Sequence, residues 1–279
     1  MGVAISTGRA SARSALRTAG PWLVLAGAIL AVYLRAAPAP FVLDDQWTIL
    51  HNPSIRTLWP PGVSLSPPQH YPTAGRPLVN LSFAVSHALG GRARAGYRRF
   101  GFALHALSAG LLFALVRRTL EHCAPRRDGT LPPFLVAALW ALHPLNSEAV
   151  VCVTQRTELM MGLASLATLH ASVRHWDAGS PGAAAGWRAV AGAACFAGMA
   201  CEESRVSAPL SVLLYDRAFR AGSLASAWRG LRGLYVGLSA SWLLLLAVND
   251  SGPRLDSAGF HLEVSPVAWW LTQAKVFWM

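Results

Sequence analysis

Residues 100–116 read FGFALHALSAGLLFALV, an uncharged run preceded by Arg98-Arg99 and closed by Arg117-Arg118. A helix over it rises about 25 Å, close to the ~30 Å hydrocarbon core of a bilayer. Seven more apolar runs surround it, at 18–34 on its N-terminal side and at 131–153, 159–173, 189–201, 206–215, 234–248 and 267–279 beyond it. Several fall short of the ~20 residues a span needs, so they borrow polar residues at their ends or form tilted or re-entrant pairs. The borrowed residues include His143, Glu148, Glu158, Glu203 and Arg205. The pattern predicts an all-α, polytopic transmembrane protein.

Composition points the same way. Across 279 residues, charged residues are 13% and hydrophobic residues 53%, with a mean hydropathy of +0.38. Soluble domains carry about 25% charged residues to solvate their surface. With so few, the excess apolar surface has to face lipid. The net charge of +11 excludes nothing by itself, but its distribution argues against nucleic acid as a partner. The basic residues form short clusters between apolar runs, as in the cytoplasmic loops of membrane proteins. Lys275 is the only lysine, and arginine with abundant alanine fits a bacterial gene and hence the inner membrane. In a eukaryote the same chain would sit in the endoplasmic reticulum. Cys123, Cys152, Cys195 and Cys201 show no CxxC spacing and read as small apolar fillers. No metal-ligand cluster is indicated.

Residues 1–20 place Arg9, Arg13 and Arg17 ahead of the first run without a convincing cleavage site, so that run reads as an uncleaved span. With the N-terminus inside and eight spans, the inner loops hold Arg117, Arg118, Arg126 and Arg127, then Arg174 and Arg188, then Arg217, Arg220, Arg229 and Arg232. One group breaks the positive-inside pattern: Arg92, Arg94, Arg98 and Arg99 fall outside. A span at 77–89 would reverse every later loop, so that segment reads as a helix lying on the outer surface. The expected organisation is a single transmembrane domain over 1–279, with a first extracytoplasmic loop over 35–99.

Four motifs share that outer side. Asp44-Asp45, just beyond the first run, is either a pair containing a general base or a cap for a helix starting at Gln46. His143-Pro144 breaks a helix, and with Glu148 it precedes Gln155-Arg156-Thr157-Glu158. Arg156 suits bidentate phosphate binding, or an ion pair with Glu148 or Glu158 that only orders the loop. Glu202-Glu203-Ser204-Arg205 is a self-neutralising cluster or part of the same cavity. Arg76, ahead of Pro77, either joins that cavity or snorkels to headgroups. Acids and arginines gathered at one membrane face suit a lipid-linked phosphate sugar, with arginines on the leaving phosphate and a carboxylate deprotonating the attacking hydroxyl.

Asp44-Asp45, Asn52-Pro53, Arg76-Pro77-Leu78, His143-Pro144, Glu148-Ala149-Val150, Gln155-Arg156-Thr157-Glu158-Leu159, Ala208-Pro209 and Leu214-Tyr215-Asp216-Arg217, in this order, resemble the membrane part of the TMTC-type proteins and their bacterial relatives. These are GT-C fold glycosyltransferases usually followed by tetratricopeptide repeats. The resemblance implies transfer of a sugar from a polyprenyl phosphate to a protein hydroxyl at the outer face, as in O-mannosyltransferases. It implies Asp44 as the catalytic acid with Asp45 beside it, and Arg76, Arg156 and Arg205 on the donor phosphate. His143, Glu148, Glu158 and Glu203 would support them. A divalent metal is compatible with this chemistry but not indicated. Two departures are visible. Glu202 stands where the family usually has lysine, placing an anion near the donor phosphate. The later spans and the repeats of the family lie beyond Met279, so a C-terminal truncation is expected. Two rival functions are a non-catalytic membrane scaffold and a secondary transporter. A transporter would place its charges near the midplane within inverted repeats, and no repeat is visible here.

Overall fold

The computed structural model describes residues 4–123, 129–250 and 265–276. The described residues fold entirely into helices and turns. The elements are α1 (Ala4–Tyr33), α2 (Pro61–Leu65), α3 (Pro77–Gly90), α4 (Arg94–Cys123), α5 (Leu131–Ala141), α6 (Ser147–Val151), α7 (Arg156–Trp176), α8 (Pro181–Met199), α9 (Ala208–Asp216), α10 (Leu224–Ser239), α11 (Ser241–Asp250) and α12 (Pro266–Val276). Windows in α1 (Ala19–Ala36, running into the turn that follows) and in α4 (Arg94–Cys123) are long and apolar enough to cross a membrane. Leu131–Ala141 and Pro144–Val151 make a third if their 50° bend is counted as one broken span. The bend is where His143-Pro144 predicts it. His143 is extended (φ −67°, ψ 133°), and its ring nitrogen Nδ1 accepts the Leu145 N–H at 3.2 Å. Buried His105 of α4 meets the Ala141 carbonyl through Nε2 at 2.9 Å, satisfying an acceptor that the broken helix leaves open.

Helix α4 is the central post. Gly110 lets Trp22 of α1 lie against it, and Tyr33, Phe102, Leu104, Ala141, Val150 and Leu159 form one buried cluster from α1, α4, α5, α6 and α7. A second cluster joins α7, α8, α9 and α10 through Ala171, Cys195, Val212, Leu234 and Leu238. Outside these clusters the helices present bare apolar side chains, among them Leu23, Val24 and Val32 on α1, Leu139 on α5, Val190 on α8 and Leu243 and Leu246 on α11. Apolar side chains exposed on this scale suit contact with lipid.

Helices α4 and α7 run in the same direction, so their N-terminal ends meet. Arg98 of α4 reaches Val151 there, and Arg156 of α7 reaches Tyr97. At the opposite end Arg118 pairs with Asp177 at 2.5 Å and Arg220 pairs with the buried Asp216. Helix α3 has 14 residues, rising about 21 Å, too short to cross a bilayer core. It packs at the N-terminal end of α4 and carries the loop before it. Asn80 is the clamp: its amide accepts from Asn52 at 2.9 Å and donates to the Ser54 hydroxyl and the Ser64 carbonyl, both at 2.8 Å.

Candidate functional site

After a 3-10 turn (Leu34–Ala36), the chain turns sharply at Leu43, whose φ of 49° lies in the left-handed region. Such a conformation in a residue other than glycine costs on the order of 1–3 kcal/mol and persists only where surrounding contacts enforce it. Its consequence is a split between neighbours: Asp44 faces solvent and Asp45 is fully buried.

The contacts of Asp45 supply the enforcement. Its Oδ1 accepts the Thr154 N–H at 2.8 Å, the Thr154 hydroxyl at 2.9 Å and the Cys152 thiol at 3.5 Å. Its Oδ2 takes the Val42 N–H at 3.4 Å and stands 4.0 Å from Arg98 Nη2. Asp45 precedes a π-turn (Gln46–Leu50) but its side chain makes no capping bond there, so the helix-cap reading does not describe it. Arg98 is buried too, and its fork holds the segment leading into the turn: Nη1 donates to Ala39 O at 2.5 Å, Nη2 to Pro40 O at 2.7 Å and Nε to Val151 O at 3.0 Å. The turn is thus tied to the 151–154 segment from both sides. Asp44, by contrast, makes no side-chain hydrogen bond or ion pair among the described residues. An ionised carboxylate with open lone pairs is an acceptor for a proton.

Arg156 is 1% exposed. Nη1 donates to Ser82 O at 2.9 Å, the Ser82 hydroxyl at 3.2 Å and the Ser86 hydroxyl at 3.0 Å, while Nη2 donates to Tyr97 O at 2.9 Å. The guanidinium lies over the Phe83 ring at 4.4 Å and the Phe100 ring at 4.5 Å. In this arrangement it joins α3, α4 and α7, and its nitrogens face protein. Glu148 and Glu158 are exposed and, among the described residues, neither pairs with it.

Arg76 stands at the N-terminal boundary of α3. Its Nη2 lies 2.6 Å from Glu202 Oε2 and its Nη1 donates to Pro72 O at 3.1 Å. Leu78 N–H meets Ala200 O at 3.4 Å, which ties α3 to the end of α8. Burial pushes the Glu202 carboxyl up to about 7, helped by a hydrogen bond with Glu203 and against the pull of Arg76. The anion that replaces the expected lysine therefore occupies Arg76 itself. Glu203 sits beside it at the start of a 3-10 turn (Glu203–Ser207). The Arg205 side chain lies outside the described residues. His143 is exposed at the helix break.

Sequence reasoning missed Arg98 and Thr154. The signal for Arg98 was the breach of the positive-inside pattern by the cluster that contains it: a cation on the wrong side that is buried and paired needs no cytoplasmic side. Thr154 carries no such signal.

The fold and these contacts define a helical membrane protein with a braced, solvent-facing carboxylate and an arginine–glutamate pair at one end of its bundle. The proteins it resembles are the TMTC-type protein O-mannosyl-transferases. Drosophila melanogaster Tmtc2 is 27% identical over 85% of this chain and 26% of its own length. A protein O-mannosyl-transferase of Caenorhabditis elegans is 29% identical over 55% of this chain and 23% of its own. Drosophila melanogaster Tmtc1 is 35% identical over 46% of this chain and 15% of its own. The chain thus spans about a quarter or less of the length of these relatives, and the resemblance read from its motifs is borne out. No protein-family model and no solved structure matches it.

Proposed function

We propose that this chain is the membrane part of a multi-pass, GT-C type glycosyltransferase that moves a sugar, mannose by the names of its relatives, from a polyprenyl phosphate to a protein hydroxyl. The observation that carries the reading is the unequal pair: an exposed Asp44, unpaired among the described residues, on a turn locked by its buried neighbour Asp45. Asp44 takes the proton of the acceptor hydroxyl while that oxygen attacks the anomeric carbon, and the bond from that carbon to the phosphate oxygen breaks. The polyprenyl phosphate leaves with the electron pair of that bond. Asp45 fixes the turn, and Arg76 holds the leaving phosphate once Glu202 gives way, which its near-neutral titration allows. Arg156 acts behind them by fixing α3, and with it Arg76. Glu203, His143, Glu148 and Glu158 support them, and Arg205 is a further candidate for the donor phosphate. An acceptor protein and a tetratricopeptide region following the membrane part are the further partners of this reading. The scaffold reading has one observation in its favour, the Arg76–Glu202 pair, which already fills the phosphate contact.

The test is Asp44→Asn in membranes of cells carrying the native gene, assayed with radiolabelled polyprenyl-phosphate mannose. Asparagine keeps the size of aspartate and cannot accept the proton, so transfer falls by about 10²–10⁴-fold with the protein still inserted. Unchanged transfer ends the assignment, and absence of transfer in the wild-type protein favours the scaffold.

A further inference from the structure

The face of the π-turn that carries Asp44 also carries an aromatic cluster that the reaction as described does not use. The Thr48 N–H meets the Asp44 carbonyl at 2.9 Å, so the helical rise begins at Asp44. Positions 44, 47 and 51 then lie on one stripe, and all three are exposed, while Asp45, Thr48, Ile49 and Asn52 form the buried stripe. Trp47 is 56% exposed. It does not hang loose: His51 lies 5.0 Å from it, centroid to centroid, and Tyr71 meets it edge-on at 6.1 Å and 85°. The Tyr71 hydroxyl donates to the His51 carbonyl at 3.3 Å, closing the cluster.

We infer that Trp47, His51 and Tyr71 form the shelf on which the pyranose ring of the donor stacks. A pyranose presents axial C–H groups on its faces and hydroxyls around its rim. An indole offers a flat electron-rich surface to the first, while the Asp44 carboxylate and the His51 ring, on the same stripe, offer hydrogen-bond partners to the second. The backbone links the shelf to the phosphate contact. Loop 71–76 starts with Tyr71 on the shelf and ends with Arg76, whose Nη1 returns to the carbonyl of Pro72, next to Tyr71. A glycosyl phosphate held by Arg76 therefore has its sugar ring within reach of the shelf, with Asp44 beside it. That continuity favours the donor sugar over a peptide. Trp59, 83% exposed, has no such bracing among the described residues and is the better candidate for a membrane-interface anchor.

The inference rests on the Asp44 reading for its geometry, but its test does not depend on transfer. The full-length protein in nanodiscs is titrated with α-D-mannose 1-phosphate, and saturation-transfer NMR reads which sugar protons touch it. Wild type transfers saturation to the ring C–H protons, Trp47→Ala loses it, and Trp47→Phe and Trp59→Ala retain it, each variant first checked for a wild-type melting profile. Asp44→Asn keeps the C–H signal even as it loses catalysis, so failure of the base reading leaves the shelf standing, and failure of the shelf leaves the base. An undiminished signal in Trp47→Ala, or none in wild type, overturns the inference. So does a Trp47→Ala variant that loses contact with a serine-containing acceptor peptide and keeps contact with the sugar phosphate.

Discussion

Arg98 Nη2 lies 4.0 Å from Asp45 Oδ2, with neither side chain more than 2% exposed. One member comes from the first residues of α4 and the other from a loop more than fifty positions earlier, so the pair joins the first long loop to the central helix. The Arg98 guanidinium also donates to the carbonyls of Ala37, Ala39, Pro40 and Val151, which leaves it well satisfied.

Truncating either partner strands a buried charge, which costs about 3–5 kcal/mol. Arg98→Ala is therefore expected to lower the melting temperature sharply in detergent or nanodiscs. Arg98→Lys keeps the charge but not the fork and should fall between. Thr154→Val removes one charge-assisted hydrogen bond to Asp45 and leaves the backbone N–H, for a loss of about 1.5–3 kcal/mol. A double variant Arg98→Ala with Asp45→Asn should lose less than the sum of the singles. Additive losses would mean the two residues do not interact.

The turn itself was readable in part. Two adjacent acids a few residues past a span mark a polar site, because lipid makes unpaired charge expensive there. Which of the two faces solvent was not readable, since Leu43 decides it through a backbone angle that no side-chain pattern announces. Arg156 shows the opposite difficulty. Its partners are main-chain carbonyls and serine hydroxyls on α3 and α4, more than fifty residues upstream, so its motif suggested the two nearby glutamates or a ligand. The helix break at His143-Pro144 was fully legible, because proline removes a donor and clashes with the preceding turn whatever the surroundings.

From the burial of Arg156 it follows that its loss is felt in folding before it is felt in substrate affinity. Arg156→Met keeps much of the packing against Phe83 and Phe100 but removes the guanidinium's hydrogen bonds to Ser82 O, Tyr97 O and the Ser82 and Ser86 hydroxyls. A hydrogen bond from a charged group contributes about 1.5–3 kcal/mol. Thermal unfolding should show the loss, and the fraction that remains folded should bind mannose 1-phosphate as tightly as wild type. A folded variant of full stability that no longer binds the phosphate would instead make Arg156 a direct contact.

Gly110 tests the seam between the first span and the central post. A Cβ placed there would stand 2.4 Å from the Trp22 ring, far inside van der Waals contact. Small residues at such crossings let two helices approach in a membrane, where packing replaces the hydrophobic effect as the driving force. Gly110→Ala should cost about 1–3 kcal/mol by overpacking. Combining it with Trp22→Leu should restore much of the loss, since the shorter side chain vacates the space. Rescue would be read from melting curves of the two variants, and a Gly110→Ala protein as stable as wild type would refute this packing.

Glu202 gives the protein a pH dependence whose sign follows from its surroundings. In the folded chain its carboxyl is pushed up to about 7 from an ordinary 4.5, with burial first, the Glu203 hydrogen bond second and Arg76 pulling the other way. The folded state thus holds the proton more tightly than the unfolded state does. Stability from this group is fully present below about 4.5 and is lost as pH rises through about 7, beyond which it stays flat. Most acids in folded proteins behave in the reverse sense, because pairing usually lowers them. Melting temperature measured between pH 4.5 and 8 should therefore carry a downward component with rising pH that Glu202→Gln removes, the glutamine being neutral throughout. The same substitution frees Arg76 from a competing carboxylate, so mannose 1-phosphate should bind more tightly to Glu202→Gln than to wild type above pH 7, and about equally at pH 5, where the wild-type carboxyl is itself protonated. If the gap in affinity stayed constant from pH 5 to pH 8, Glu202 would not be the group that titrates against Arg76.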